Sequence, residues 1–264
     1  NSGNGWVERE LYDIGIIKSA DCVEYNQDLI NKSNKQKNDR NLNYIQHDIN
    51  TVNFEDNKFD VIINFAAAHH IRYIERVFIN IIRWMKKDAY FIHNDYIGPQ
   101  RNQYTKQQWL SMNNLNKTLS IKFRKKLGYP DVQQMMIDDP TEAINPQRII
   151  SLLNDLFQIE YHTKSGGALA YEILTHNDKL FNLNIEERTN VVNYIMEKDG
   201  EYLKETGDSF FHFILCKKKL VLEEETTNKN INLMNNREKL ADQSFGHYCY
   251  NFLNLNVLIL FNEH

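Results

Sequence analysis

Gly3-Asn4-Gly5, set directly ahead of a helix-forming run, is the first place in this 264-residue chain where residue type and spacing could do chemistry. Two glycines let a backbone approach a ligand closely because no side chain intervenes. The helix N-terminus behind them turns free amides toward an electron-rich group. About twenty residues on, Glu24 ends an apolar segment of strand length, where a carboxylate can accept two ribose hydroxyls in a fork. Asp48 ends the next such segment, in reach of an adenine amino group, and Ile49 beside it offers an apolar face to the ring. Asn64-Phe65-Ala66-Ala67-Ala68 closes a third with small residues that leave room for a ligand. Each sign is weak alone, but four at successive strand ends point together to a nucleoside site.

Further along stand groups able to take a proton near neutral pH: His69, His70, His93 and Asp95. His69 and His70 start a helix beside the expected pocket. His93 lies inside an apolar strand, where a satisfied core histidine is the commoner outcome. Asp95 and Tyr96 fall where that strand leaves the sheet, so they are expected to face a substrate opening. Arg101 and Gln103, in the following loop, suit an anionic or polyhydroxyl substrate. Asp138, Asp139 and Glu142 suggest a metal site, but an Asp-Asp-Pro turn capping the next helix explains them more simply, and no metal is expected.

The elements that must hold these groups alternate. Trp6, Val7, Leu11 and Ile14 form a helical face. Short strands are expected at 20–25 and 42–46, with a helix at 26–34 between them. Phe59–Phe65 and Ala89–His93 are nearly continuous apolar runs, as in strands buried on both faces of a parallel sheet. Between them, 71–85 carries apolar residues at helical spacing. The first hundred residues therefore read as doubly wound α/β. From Gly98 the rhythm changes to polar helices near 106–119 and 146–156, a short strand at 157–161, an apolar helical run from Gly166 to Phe181, a helix at 185–205 and a last strand at 210–216.

The run GNGWVE, the strand-end Glu24, QHD at Gln46–Asp48 and FDVIINFAAAHHI together resemble the nucleotide motifs of class I S-adenosylmethionine-dependent methyltransferases. The closing strand FFHFILCKKK is similar to that family's last strand. The resemblance implies that Gly3, Asn4 and Gly5 face the methionine part of the cofactor. It also implies that Glu24, with Tyr25 beside it, holds the ribose, that Asp48 and Ile49 read the adenine, and that Asn64 borders the reacting methyl. In the family a strand with an acidic residue precedes the glycine loop. Here Asn1 stands in place of the loop's first glycine and that strand is absent, so the chain reads as N-terminally truncated.

DYIGPQRNQYT, DDPTEA and SGG are similar to segments of a bacterial subgroup linked to polysaccharide and cell-surface glycan biosynthesis. The expected fold is a Rossmann-like, mostly parallel sheet lacking its first strand. Residues 1–219 would form the methyltransferase domain, with a helical insertion at about 98–206 over the carboxyl edge of the sheet, and 220–264 an appendage without an assigned role. The expected activity is methyl transfer from S-adenosylmethionine to a small-molecule or sugar acceptor, at oxygen. Such an in-line displacement depends mostly on orientation and exclusion of water, with His70, His69 or Asp95 taking the acceptor's proton.

Composition narrows the alternatives. The chain is 42% apolar and 25% charged, with a net charge of -4 and acidic and basic residues intermixed, so nucleic acid is not the expected partner. Cys22, Cys216 and Cys249 are scattered without a CxxC pair, which reads as buried thiols of a cytoplasmic protein. The apolar run Val257–Phe261 is far shorter than the ~20 residues of a membrane span. A nicotinamide-dependent oxidoreductase is disfavoured because Glu8 occupies the position of the third glycine in GxGxxG. A non-catalytic Rossmann-like binding module remains the alternative from another class.

Overall fold

A computed structural model describes residues 2–219 and the strand at 255–261. The chain opens with helix α1 (Trp6–Asp13), strand β1 (Ile17–Glu24), α2 (Gln27–Gln36), β2 (Leu42–Gln46) and β3 (Phe59–Phe65). A 3-10 turn at Ala68–His70 leads into α3 (Ile74–Trp84) and β4 (Met85–Tyr96). Helices α4 (Lys106–Thr118), α5 (Val132–Asp138) and α6 (Pro146–Leu156) precede β5 (Phe157–Gly166). Then come α7 (Ala170–Leu174), α8 (Asp178–Phe181), α9 (Ile185–Thr206), β6 (Phe211–Lys218) and β7 (Leu255–Phe261).

The seven strands form one sheet in the order β2-β1-β7-β3-β4-β6-β5. Strands β2, β1, β7, β3 and β4 run parallel, and β6 runs antiparallel to both β4 and β5. Parallel strands share one carboxyl edge, so the loops after β1, β2, β3 and β4 all gather there. This is the doubly wound α/β architecture that the apolar runs and their spacing predict.

α3 shows why the sheet holds. Ile74, Val77, Phe78, Ile81 and Ile82 recur at helical spacing, all are buried, and they pack with Phe91, Phe157 and Ile214 of the strands. Full burial of a side chain of this size contributes roughly 1.5–3 kcal/mol. On the opposite face Val7 of α1 and Ile30 of α2 pack against Ile17, Cys22, Leu42 and Val61. A third cluster lies over the carboxyl edge, where Met112 and Leu115 of α4, Ile173 of α7 and Ile195 of α9 surround Tyr96, Tyr104 and Phe210.

Several expectations need correction. The place of the strand expected to be missing is filled: β7 pairs Val257 with both Ala20 of β1 and Val61 of β3, in parallel. Two strands held apart with nothing between them would leave rows of buried N–H and C=O groups unpaired. The expected appendage at 220–264 thus contributes a strand to the sheet, while Cys249 and the rest of that segment lie outside the described residues. The insertion expected at 98–206 is not all helical, because β5 within it forms an edge of the sheet.

The expected helix at 71–85 begins three residues later, since the 3-10 turn turns His69 and His70 inward. The single helix expected from Gly166 to Phe181 is two short ones. Gly166 (φ 84°) and Gly167 (φ 87°) start the first, and a left-handed His176 (φ 49°) separates them. The buried Asp199 of α9 accepts backbone N–H bonds from Leu169 at 2.7 Å and Ala170 at 3.1 Å, which fixes the first helix to α9. No helix among the described residues is long and apolar enough to cross a membrane.

Candidate active site

The glycine loop and the acid at the end of β1 are joined directly. Gly3 and Gly5 adopt left-handed backbone (φ 58° and 76°), and the Gly3 N–H donates to Glu24 Oε2 at 2.9 Å. Glu24 Oε1 accepts from Tyr25 N and Asn26 N, each at 2.8 Å, while Asn26 caps α2. The His47 N–H donates to the Glu24 carbonyl at 2.9 Å, tying the end of β2 to the end of β1. Glu24 is thus buried and anchored by backbone amides. Three donors fill three of the roughly four acceptor positions of a carboxylate, so one is left for a hydroxyl.

Behind β2, Asp48 Oδ1 accepts from Asn50 N at 2.8 Å and from its Nδ2 at 2.7 Å. Asn50 Oδ1 in turn accepts from Tyr73 N at 2.9 Å, which links this loop to the one after β3. One expected cofactor contact sits differently. Ile49 is buried in the core with Val23 and Val52 and does not offer its side chain as an exposed face for adenine. Tyr25, directly after Glu24, is 70% exposed.

The loop's polar atoms favour a ligand. Ser2 Oγ and Asn4 Oδ1 are buried without a hydrogen-bond partner among the described residues. A buried polar atom left unpaired costs about 1–3 kcal/mol. An amino-acid tail carrying an ammonium group and a carboxylate would satisfy both, so the residues present fit the methionine end of S-adenosylmethionine.

At the ends of β3 and β4 lies a wholly buried polar group. Asn64 Nδ2 contacts His93 Nδ1 at 3.1 Å and donates to the Asp95 carboxylate. His93 Nε2 lies 3.4 Å from Asp95 Oδ2. Burial pushes the Asp95 carboxyl well above the usual carboxylate range and the His93 imidazole well below its usual value. Asp95 therefore does not face a substrate opening as expected. It is a buried group at the end of β4, held by Asn64. Tyr96 is likewise buried, stacks near Tyr171 and donates its hydroxyl to the Pro99 carbonyl at 3.2 Å.

The expected substrate contacts in the next loop serve the backbone. Arg101 Nη1 and Nη2 donate to the Glu142 and Pro140 carbonyls at 2.9 Å. Gln103 Nε2 donates to the Pro130 and Arg101 carbonyls at 3.0 Å. These bonds pull the 138–143 segment down onto the carboxyl edge.

That segment brings in Glu142, which the sequence suggests as a metal ligand and then, more simply, as part of a helix-capping turn. Glu142 does not cap α6, whose N-cap is Asn145 without a side-chain bond. It turns inward instead, with Oε2 2.9 Å from His69 Nε2 and 3.7 Å from His70 Nε2. His70 Nδ1 is 2.9 Å from Thr141 Oγ1 and 3.5 Å from Asp139 Oδ2. The two imidazole rings lie 3.7 Å apart. Left-handed backbone at Ala66, Arg101, Asn102 and Ala143 surrounds the group (φ 41–56°). Non-glycine residues are rarely held this way, and such strain gathers at functional sites. Beside the group opens a cavity of about 380 Å³, lined by Asn102, Lys125, Asp139, Glu142, Tyr171 and Glu172 among others.

Comparisons with known proteins agree with this geometry. A family model described as a methyltransferase domain matches residues 2–93, from the glycine loop into β4. A search of curated proteins gives no match. Among solved structures, a phosphoethanolamine N-methyltransferase from Haemonchus contortus, bound to phosphomonomethylethanolamine and S-adenosylhomocysteine, is similar at 14% identity and a TM-score of 0.50. The match covers 83% of this chain and 48% of that one. An S-adenosylmethionine-dependent methyltransferase from Mesorhizobium loti matches at 12% identity over 83% of this chain and 88% of that one, with a TM-score of 0.49. A protein from Pyrococcus horikoshii matches at 17% identity over 83% and 79%, with a TM-score of 0.46. The likeness at a TM-score of 0.50 describes the fold, and the family match falls on the segment that carries the glycine loop, Glu24, Asp48 and Asn64. By that match, residues 2–93 carry a methyltransferase domain.

Proposed function

We propose that this methyltransferase transfers the methyl group to a hydroxyl of a small acceptor, with a sugar or glycan precursor as the first class to test. The single observation that carries this reading is the buried His69–Glu142 contact of 2.9 Å beside a cavity that Glu142 also lines. A hydroxyl must lose its proton as it is methylated, and an imidazole paired with a carboxylate is suited to that near neutral pH. S-adenosylmethionine, when bound, supplies an activated methyl whose leaving group is a neutral thioether.

Each part of the chain then has a task. Gly3, Asn4, Gly5 and Glu24 hold the cofactor, with Asp48 at the adenine end. Asn64, His93 and Asp95 form a rigid polar floor beneath the 3-10 turn. His69, His70 and Glu142 handle the acceptor's proton. Arg101 and Gln103, read from the sequence as substrate contacts, act instead by positioning the segment that carries Glu142. The buried thiols Cys22 and Cys216 suit a reducing compartment, so we place the reaction in the cytoplasm.

The test is a methyl-transfer assay in which labelled S-adenosylmethionine is offered with free sugars, nucleotide sugars, phenols and amines. Label appearing on a sugar or other hydroxyl supports the reading. Label appearing only on amines contradicts it.

A further inference from the structure

We infer that His69, His70 and Glu142 form a binding site for a divalent transition metal of the zinc class. The three side chains are buried, and each presents one ligand atom within 4.8 Å of the others. Two imidazole nitrogens and one carboxylate oxygen are a donor set matched to Zn²⁺. Tetrahedral Zn²⁺ with bonds of ~2.0–2.1 Å places neighbouring ligand atoms about 3.3 Å apart. The distances from Glu142 Oε2 to His69 Nε2, 2.9 Å, and to His70 Nε2, 3.7 Å, lie on either side of that value. The two imidazole nitrogens lie within 4.8 Å of each other and of Glu142, so the ion would draw the three ligand atoms together.

The surroundings fit. A metal-binding histidine usually has its other ring nitrogen held by an oxygen, which fixes the tautomer and the ring's orientation. His70 is held this way, its Nδ1 against Thr141 Oγ1 at 2.9 Å and near Asp139. Asn102 Nδ2 approaches the other carboxylate oxygen of Glu142 at 3.4 Å. Two neutral imidazoles and one carboxylate carry a net charge of -1, so a divalent cation resolves the cost of burying the carboxylate. With three protein ligands, a tetrahedral ion keeps one position open. Glu142 also lines the cavity, which gives an oxygen ligand a route to the cluster. On the acceptor reading proposed above, that ligand is the hydroxyl to be methylated, and a bound cation would take over from the imidazoles by lowering the hydroxyl's pKa, its proton leaving to water.

The experiment is titration of the tag-free chain, stripped by chelator, with Zn²⁺ by calorimetry and with Co²⁺ by visible absorption. One equivalent of Zn²⁺ should bind. The Co²⁺ form should show the intense absorption of a tetrahedral site. Glu142→Gln and His69→Ala should each weaken binding at least ~10-fold, with the far-ultraviolet circular dichroism checked for folding, whereas Asp138→Asn at the exposed end of α5 should not. Metal uptake below one equivalent by the wild type, or uptake unaffected by the variants, overturns the inference, and the wild-type result stands even if a variant fails to fold. These readouts need no acceptor. Methyl transfer without metal uptake thus refutes the metal site alone, and metal uptake without transfer to hydroxyls refutes the acceptor reading alone.

Discussion

The backbone N–H of Gly3 donates to the carboxylate of Glu24 across 2.9 Å, joining the first loop of the chain to the end of β1. On the function proposed above, the bond sets the loop that turns into α1 against the acid that would meet a ribose. Replacing Glu24 with Ala removes an acceptor for three backbone amides together with the proposed ribose contact. Affinity for S-adenosylhomocysteine should fall by at least ~1 kcal/mol, a fivefold or larger rise in Kd. Unchanged affinity in a folded variant would remove Glu24 from the cofactor site.

β7 is paired on both sides, to β1 and to β3. A proline in an interior strand cannot donate to the ladder. Leu258→Pro should therefore lower stability by at least ~2 kcal/mol, about 4–8 °C in Tm for a chain of this size. Thermal melts of wild type and variant check this. Coincident melting curves would show that residues 255–261 are not part of the sheet in solution.

Glu8 is wholly buried in α1, and burial pushes its carboxyl up to about 7. In the unfolded chain the group titrates near 4.5. Below that pH both states keep the proton and there is no penalty. As pH rises from about 4.5 to 7, the unfolded chain gives up its proton while the folded one retains it, so stability falls, levelling off above 7. The full loss is on the order of 3 kcal/mol. Denaturant unfolding at pH 5 and pH 8 should show the wild type weaker at pH 8 and Glu8→Gln much less affected. Parallel pH dependence in the two proteins would contradict the assignment.

His69 and Glu142 meet 73 positions apart in sequence. If they handle the acceptor's proton, His69→Ala and Glu142→Gln should each reduce kcat by ~10²–10⁴-fold while leaving affinity for S-adenosylhomocysteine within about twofold. Loss of cofactor affinity in step with activity would make them cofactor contacts instead.

Much of this molecule could be read from local pattern. Phe59–Phe65 and the buried face of α3 follow from apolar periodicity, and the bond between Gly3 and Glu24 joins two signals recognisable by their spacing. What escaped was set by tertiary contact. Nothing local marks Glu142 as inward-facing, since its partners lie on a turn after β3 and its segment is drawn in by Arg101. Asp95 stands at a strand end, where polar residues usually reach solvent, yet the loops above bury it. β7 was read as too short to span a membrane, and its place between two distant strands rests on pairings that no periodicity reveals.

The most direct test is calorimetric titration of the full chain with S-adenosylhomocysteine, S-adenosylmethionine and NAD in parallel. The two sulfur nucleosides should bind at one site per chain with Kd in the micromolar range or tighter, and NAD should not compete. Binding of NAD alone, or of none of the three by a folded chain, would contradict the reading of the glycine loop and Glu24 as an S-adenosylmethionine site.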